Sequence, residues 1–306
     1  MTGFYDPLEL AGVAARARAL RAVTVAYDPR RPPAPVADYN VPGWYTDPAG
    51  FTKAVDGLTG DTAAAYLAAV QFALYGDPDA HAHAMGILQA WANGNKAVSG
   101  HDGQLSMAEL GSGLILADIL LGMDILADWI RAVYAPVCDA IKNDKNNWGA
   151  WGQFGKLLGG HHAGLDIAAD VTLLGTHIDQ AIAPDGTLPI EMLRGEGALW
   201  YTYYHLVPLC AAARLVRNLG GPDYFRTTPK VRAALTHLLT WVKSNPAGQS
   251  LPRAVDPWPN DLFEAMGAEY SDAAMTEYAA LKRPVTYVTH HFAWAVPTVL
   301  HARLLP

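Results

Sequence analysis

Two segments of the chain carry side chains whose types and spacing suit chemistry. In IEMLRGEGALWYTYYHLVPL, residues 190–209, Arg194 and Tyr201 are seven apart and His205 follows four later. On a helix that spacing lines the three roughly along one face. The face is polar inside an otherwise apolar stretch, so the three side chains either enter a cleft or sit at the surface. In KNDKNNWGAWGQFG, residues 142–155, Asn146 and Asn147 precede Trp148 and Trp151. Asn is a favoured helix N-cap, so part of this segment reads as a capped helix followed by core tryptophans. A tandem pair of amides before two indoles is nevertheless more than a cap needs. Side-chain amides donate to carboxylates and indole faces pack on sugar rings, so Asn146, Asn147, Trp148 and Trp151 together suit a carbohydrate cleft.

The elements that must position these residues read as helices. No sustained alternation of β-branched and polar residues is present, and no Asn-Gly turn joins two strand-like runs. Segments rich in Ala and Leu, with apolar residues recurring every three or four positions, predict helices near 8–24, 60–75, 78–93, 105–121, 123–142, 147–158, 162–182, 191–218, 228–244, 272–281 and 288–304. With short turns and no repeat period, this series predicts an all-α fold: an (α/α) toroid, complete or incomplete, of antiparallel helical hairpins, in a single domain over 1–306. The Pro-rich, aromatic segment 28–48, DPRRPPAPVADYNVPGWYTDP, is too long for a simple connector. It is either a functional lid or a strap sealing the helical array. A second irregular stretch, 244–261, has the same character.

Composition narrows the function classes. The 306 residues are 51% hydrophobic and 17% charged, which excludes a wholly disordered chain. A formal charge of −7 argues against nucleic acid or an anionic membrane as the main partner. Cys138 and Cys210 lie in apolar stretches and read as buried small hydrophobes. The N-terminus shows no basic region followed by an apolar run, so no secretory signal is expected. The most apolar stretch, 110–130, is interrupted by Asp118, Asp124 and Asp128, so no transmembrane segment is expected either.

The order Asn-Asn-x-x-x-Trp, then Arg-Gly-x-x-Ala-Leu-x-Tyr and Leu-x-Pro-Leu, resembles the alginate lyases of polysaccharide lyase family 5 and the related toroidal polyuronate lyases of family 38. Here it is carried by Asn146, Asn147 and Trp151, by Arg194, Gly195, Ala198, Leu199 and Tyr201, and by Leu206, Pro208 and Leu209. GILQAWANG, residues 86–94, also looks like the family's, so the resemblance covers about residues 60–215. It implies a helical toroid that cleaves uronate polymers by β-elimination, with extracellular or particle-associated action suggested by a polymeric substrate. Asn147 would help neutralise the substrate carboxylate, Arg194 would assist there, and Tyr201 would move the proton. The family usually has His directly after Asn-Asn, whereas this chain has Trp148.

The chemistry wants such residues. The proton on C5 is barely acidic while the adjacent carboxylate stays anionic, so groups that absorb the charge developing there do the main work. A nearby guanidinium favours the phenolate of a tyrosine, which can then take the C5 proton and pass it to O4. No metal or cofactor is required. His81 with His83, His161 with His162, and His290 with His291 are close in sequence but lack the spacings of a zinc motif. His162, or His161, is a candidate to fold back in place of the family histidine, and Gln104 is a candidate amide contact to substrate. Two rival readings remain: a glycoside hydrolase on the same scaffold, using Glu109 with Asp118 or Glu191 with Glu196, and a noncatalytic carbohydrate-binding or structural component.

Overall fold

A computed structural model describes residues 3–5, 7–20, 27–244, 249, 258–288 and 291–301. In chain order the elements are α1 (Pro7–Leu20), β1 (Asp38–Asn40), α2 (Pro48–Tyr75), α3 (Pro78–Gly94), β2 (Ala97–Ser99), α4 (Gly103–Leu121), α5 (Ala127–Trp129), α6 (Ala135–Ile141), α7 (Asn147–His162), α8 (Ala168–Ala181), α9 (Pro189–Met192), α10 (Ala198–Asn218), α11 (Tyr224–Thr227), α12 (Lys230–Lys243), α13 (Asn260–Tyr270), α14 (Ala273–Ala280) and α15 (Pro297–Leu300). A π-helical turn joins α5 to α6, and 3-10 turns occupy Gly195–Gly197 and Phe292–Trp294.

Helices α2, α4, α7 and α10 pack one on the next as a first layer, while α3 backs α2, α6 backs α4 and α7, α8 backs α7 and α12 backs α10. These hairpins are the two layers of an incomplete (α/α) toroid. The turn Phe292–Trp294 fits between α4, α10 and α13. The only strands among the described residues, β1 and β2, form one short parallel pair, Asp38 to Asn40 against Ala97 to Ser99. α4 is the single described helix long and apolar enough to cross a membrane, but 78% of its apolar window is buried inside the protein.

Local chemistry explains many boundaries. Asp47 caps α2 by accepting from Gly50 N, and Asp77 caps α3 by accepting from Asp79 N and Ala80 N, each followed by a proline that needs no helical N–H partner. Gly76 and Gly122 close α2 and α4 in left-handed conformations. Other boundaries depart from the periodicity. α2 begins twelve residues before the predicted 60, through Gly50, Gly57 and Gly60. At Gly60 a Cβ would lie 2.2 Å from the Arg31 guanidinium, so a larger residue there would displace that side chain from its place beside Asp61. α13 was not foreseen, and the predicted 288–304 helix is instead a 3-10 turn followed by the short α15, separated by Val296 at φ 50 and Pro297. Residues 21–24, 289–290 and 302–304 of the predicted terminal helices, and 245–248 and 250–257 of the second irregular stretch, lie outside the described residues.

The 28–48 segment divides into two parts. Its first half is strapped to the helices. Asp61, fully buried on α2, accepts from Arg31 Nε at 3.0 Å, Ala34 N at 2.7 Å and Trp91 Nε1 at 2.8 Å. Asn95 donates to Val36 O and Ala97 O, both at 3.0 Å, and accepts from Trp129 Nε1. Its second half is a turn in which Gly43 O accepts from Thr46 N and Asp47 N. That turn carries Trp44 and Tyr45 outward.

Candidate active site

The site is built where the predicted helix 191–218 breaks. α9 ends at Met192, Leu193 is 85% exposed, Arg194 precedes a 3-10 turn, and α10 starts only at Ala198. Gly195 at φ 58 permits the break, and Gln249 braces it by accepting from Leu199 N at 2.9 Å and donating to Gly195 O at 3.2 Å. Arg194 is thus free of helical geometry. It folds over Tyr201, its guanidinium carbon 4.6 Å from the ring centroid, a cation–π contact worth about 0.5–2 kcal/mol. The hydroxyls of Tyr201 and of Tyr45, from the Gly43–Asp47 turn, are hydrogen-bonded to each other.

Beneath this rim lies a buried polar floor. Glu191, fully buried, accepts from Asn147 N at 2.7 Å and from His205 Nδ1 at 2.9 Å. Asn147 Nδ2 lies 3.4 Å from both Glu191 oxygens, and Arg194 Nε is 3.7 Å from one. His205 Nε2 in turn meets His177 Nε2 at 2.9 Å. An isolated buried carboxylate costs several kcal/mol, so this convergence of donors is what permits Glu191 to be there. Burial, and secondarily His205, push His177 down to about 3, which keeps it neutral.

Burial pushes the Tyr201 hydroxyl above the ordinary tyrosine range, and the Tyr45 hydrogen bond adds to the effect. Arg194 acts in the opposite direction but is outweighed. The expected phenolate is therefore not the resting state, in which Tyr201 is a neutral phenol. Beside Tyr201, its ring edge-on at 6.4 Å between centroids, Tyr204 donates to Glu109 at 2.5 Å, and His291 Nδ1 is 2.8 Å from the same carboxylate. Burial pushes His291 down to about 3.

Several expectations change in three dimensions. Arg194 and Tyr201 come together although Arg194 lies outside α10; His205, four residues after Tyr201 on α10, is 1% exposed because it is held inward by Glu191 and His177. Asn147 is also fully buried, its amide directed at Glu191 and not at an open surface, whereas Arg194 is exposed. Asn146 serves as the α7 N-cap, accepting from Trp148 N at 2.9 Å. Trp151 is buried among Phe154, Tyr204 and His291 and offers no face to a sugar. Trp148 is half-buried, and Gln104 is partly exposed on the first turn of α4. His162 pairs with buried Asp118 at 2.9 Å, and that carboxylate also accepts from Ile125 N and Leu126 N. This ties His162 to the end of α4, and it removes Asp118 from any pairing with Glu109. Buried Glu191 and exposed Glu196 likewise make no matched pair.

Sequence reasoning missed Tyr45, Glu191's linking role and His101. Tyr45 and Tyr201 are 156 positions apart, so only its place in an aromatic, Pro-rich loop hinted at a part for Tyr45. Among the described residues no group of three or more His, Cys, Asp or Glu converges as a metal site would require.

The helical toroid thus carries an arginine-covered tyrosine on α10, in its first layer. Residues 24–250 match the sequence profile of the family described as alginate lyase, and the chain belongs to that family. The fold is shared with an alginate lyase from Bacteroides ovatus, TM-score 0.72 at 16% identity, covering 100% of this chain and 99% of that one. It is also shared with alginate lyase A1-III from Sphingomonas species A1, TM-score 0.73 at 18% identity, covering 99% and 98%. A variant of A1-III complexed with a tetrasaccharide gives TM-score 0.77 at 16% identity, covering 100% and 96%. A protein named polysaccharide lyase from Stenotrophomonas maltophilia is 39% identical over 93 residues, 28% of this chain and only 26% of that relative's length.

Proposed function

We propose that this chain, as one domain, cleaves an anionic uronate polymer by metal-independent β-elimination, with Tyr201 moving the proton. The observation that carries the reading is the Arg194 guanidinium lying 4.6 Å over the ring of Tyr201, on a scaffold of the alginate lyase family. Arg194 meets the substrate carboxylate and absorbs charge as C5 loses its proton. Asn147, through Glu191, steadies that arginine from behind. Tyr201, neutral at rest, passes its proton through the exposed Tyr45 hydroxyl to solvent; the phenolate takes the C5 proton, delivers it to the O4 leaving group as the C4–O bond breaks, and regains its own proton from solvent. The 28–48 segment acts as a lid through its Tyr45 turn. The tetrasaccharide complex of alginate lyase A1-III supports an oligosaccharide as a fitting ligand for this chain.

Trp148 adds a stereochemical limit. In β-D-mannuronate and β-D-glucuronate the C5 hydrogen and O4 leave from one side, so one tyrosine serves both steps. In α-L-guluronate they lie on opposite sides, and indole cannot take a proton. Incubation with mannuronate blocks, guluronate blocks and glucuronan, followed by the ultraviolet absorbance of the 4,5-unsaturated uronate, tests the reading. Strong signal on mannuronate or glucuronate polymers and little on guluronate blocks is expected. Cleavage without that chromophore would mean a hydrolase, and polymer binding without cleavage would mean a noncatalytic component.

A further inference from the structure

His101 is an exposed imidazole beside Trp148 and the Gly43 turn, and it is held from three sides. Its Nδ1 lies 2.6 Å from Asp102 Oδ1, and the other Asp102 oxygen accepts from Trp44 N at 2.7 Å. Its ring stands edge-on to Trp148 at 6.2 Å between centroids and 84° between planes. Gly43 completes the cradle, since a Cβ there would lie 3.3 Å from Nδ1. A side chain this exposed, at 75%, ordinarily gains little from such fixing. The contacts instead aim Nε2, on the far edge of the ring, outward. Gly43 also opens the turn whose Tyr45 reaches Tyr201, so one short turn joins His101 to the reacting group.

We propose that His101, oriented by Asp102, Gly43 and Trp148, is a substrate-binding residue whose imidazolium, with its Nδ1–H on Asp102, presents Nε2–H to the carboxylate of a uronate unit adjoining the one at Tyr201. The inference rests on the uronate reading above. A uronate polymer carries one carboxylate per sugar, so Arg194 meets one and leaves the next without a partner. His101 supplies that partner in a protein whose overall charge is −7. A charge-assisted hydrogen bond of this kind is worth on the order of tenfold in affinity.

The test is His101→Gln, at an exposed position where folding is unaffected, assayed for kcat and KM on mannuronate oligomers. Binding of the same oligomers, and of oligomers with carboxyl groups reduced to alcohols, is measured calorimetrically in a Tyr201→Phe background. The expected result is a KM raised about tenfold, a kcat reduced by less than about threefold, and a matching affinity loss confined to carboxylate-bearing oligomers. Unchanged affinity overturns the proposal. So does a kcat loss at unchanged affinity, which would make His101 a proton carrier, or an equal loss for the reduced oligomers. If the parent protein neither binds nor cleaves any uronate polymer, the substrate class itself fails, an outcome separate from an indifferent His101→Gln.

Discussion

The rim and the floor of the site are built from similar residue types to opposite ends. On the rim, Arg194, Tyr201, Tyr45 and His101 are at least partly exposed and held by few polar contacts. On the floor, Glu191, Asn147, His205 and His177 are buried and joined in one chain of hydrogen bonds. Exposed contacts add little to stability, whereas a buried charge that loses its partner is severely destabilising. The difference teaches that rim groups are available to substrate at small structural cost, while the floor fixes where they stand.

That contrast can be broken experimentally, most sharply at Tyr201. Tyr201→Phe is expected to lower kcat on the order of 10² to 10⁴-fold with an unchanged melting temperature. Retention of more than half the activity would remove Tyr201 from proton transfer. Arg194→Lys keeps the charge but loses the planar fork, and a loss of about 10 to 100-fold in kcat/KM is expected, again without unfolding. Free replacement by lysine would reduce Arg194 to a general surface charge. Glu191→Gln should behave as a floor residue, with activity and stability falling together and a destabilisation of about 1–3 kcal/mol in a denaturant titration, since the amide cannot match all of the donors that the carboxylate accepts from. An active variant of normal stability would dissolve the distinction between the two layers.

A smaller effect concerns pH. Burial holds His177 and His291 at about 3, while an unfolded imidazole protonates near 6.5. Between these values the unfolded chain binds more protons, so this part of the stability is fully present above about pH 6.5 and is lost as pH falls toward 3. The melting temperature should drop between pH 7 and pH 4.5, and a flat profile would contradict the buried, neutral histidines. The smallest effect is none: prolonged EDTA treatment should leave turnover unchanged, and restoration of a lost activity by one divalent ion would overturn metal independence.

Much was legible along the chain. Helical periodicity located most helices, and the cap Asn146 marks the start of α7 by chemistry confined to a single turn. The short spacing of Arg194 and Tyr201 also identified a pair that does meet. The α2 start was hidden because Gly50, Gly57 and Gly60 lower helix propensity over its first turns, Gly60 being the one that the Arg31 guanidinium lies against.

By itself, then, the sequence determined an all-α scaffold, a net acidic surface and the Arg194–Tyr201 pair, because those depend on composition and on neighbours within a turn or two. Only the tertiary structure decided that the helix breaks at Leu193 to Gly197, that Asn147 and His205 face Glu191, and that Tyr45 and His101 reach the site from distant loops. The reason is physical: a buried carboxylate must find its donors, and an exposed phenol its neighbour, among groups that packing brings together from far along the chain.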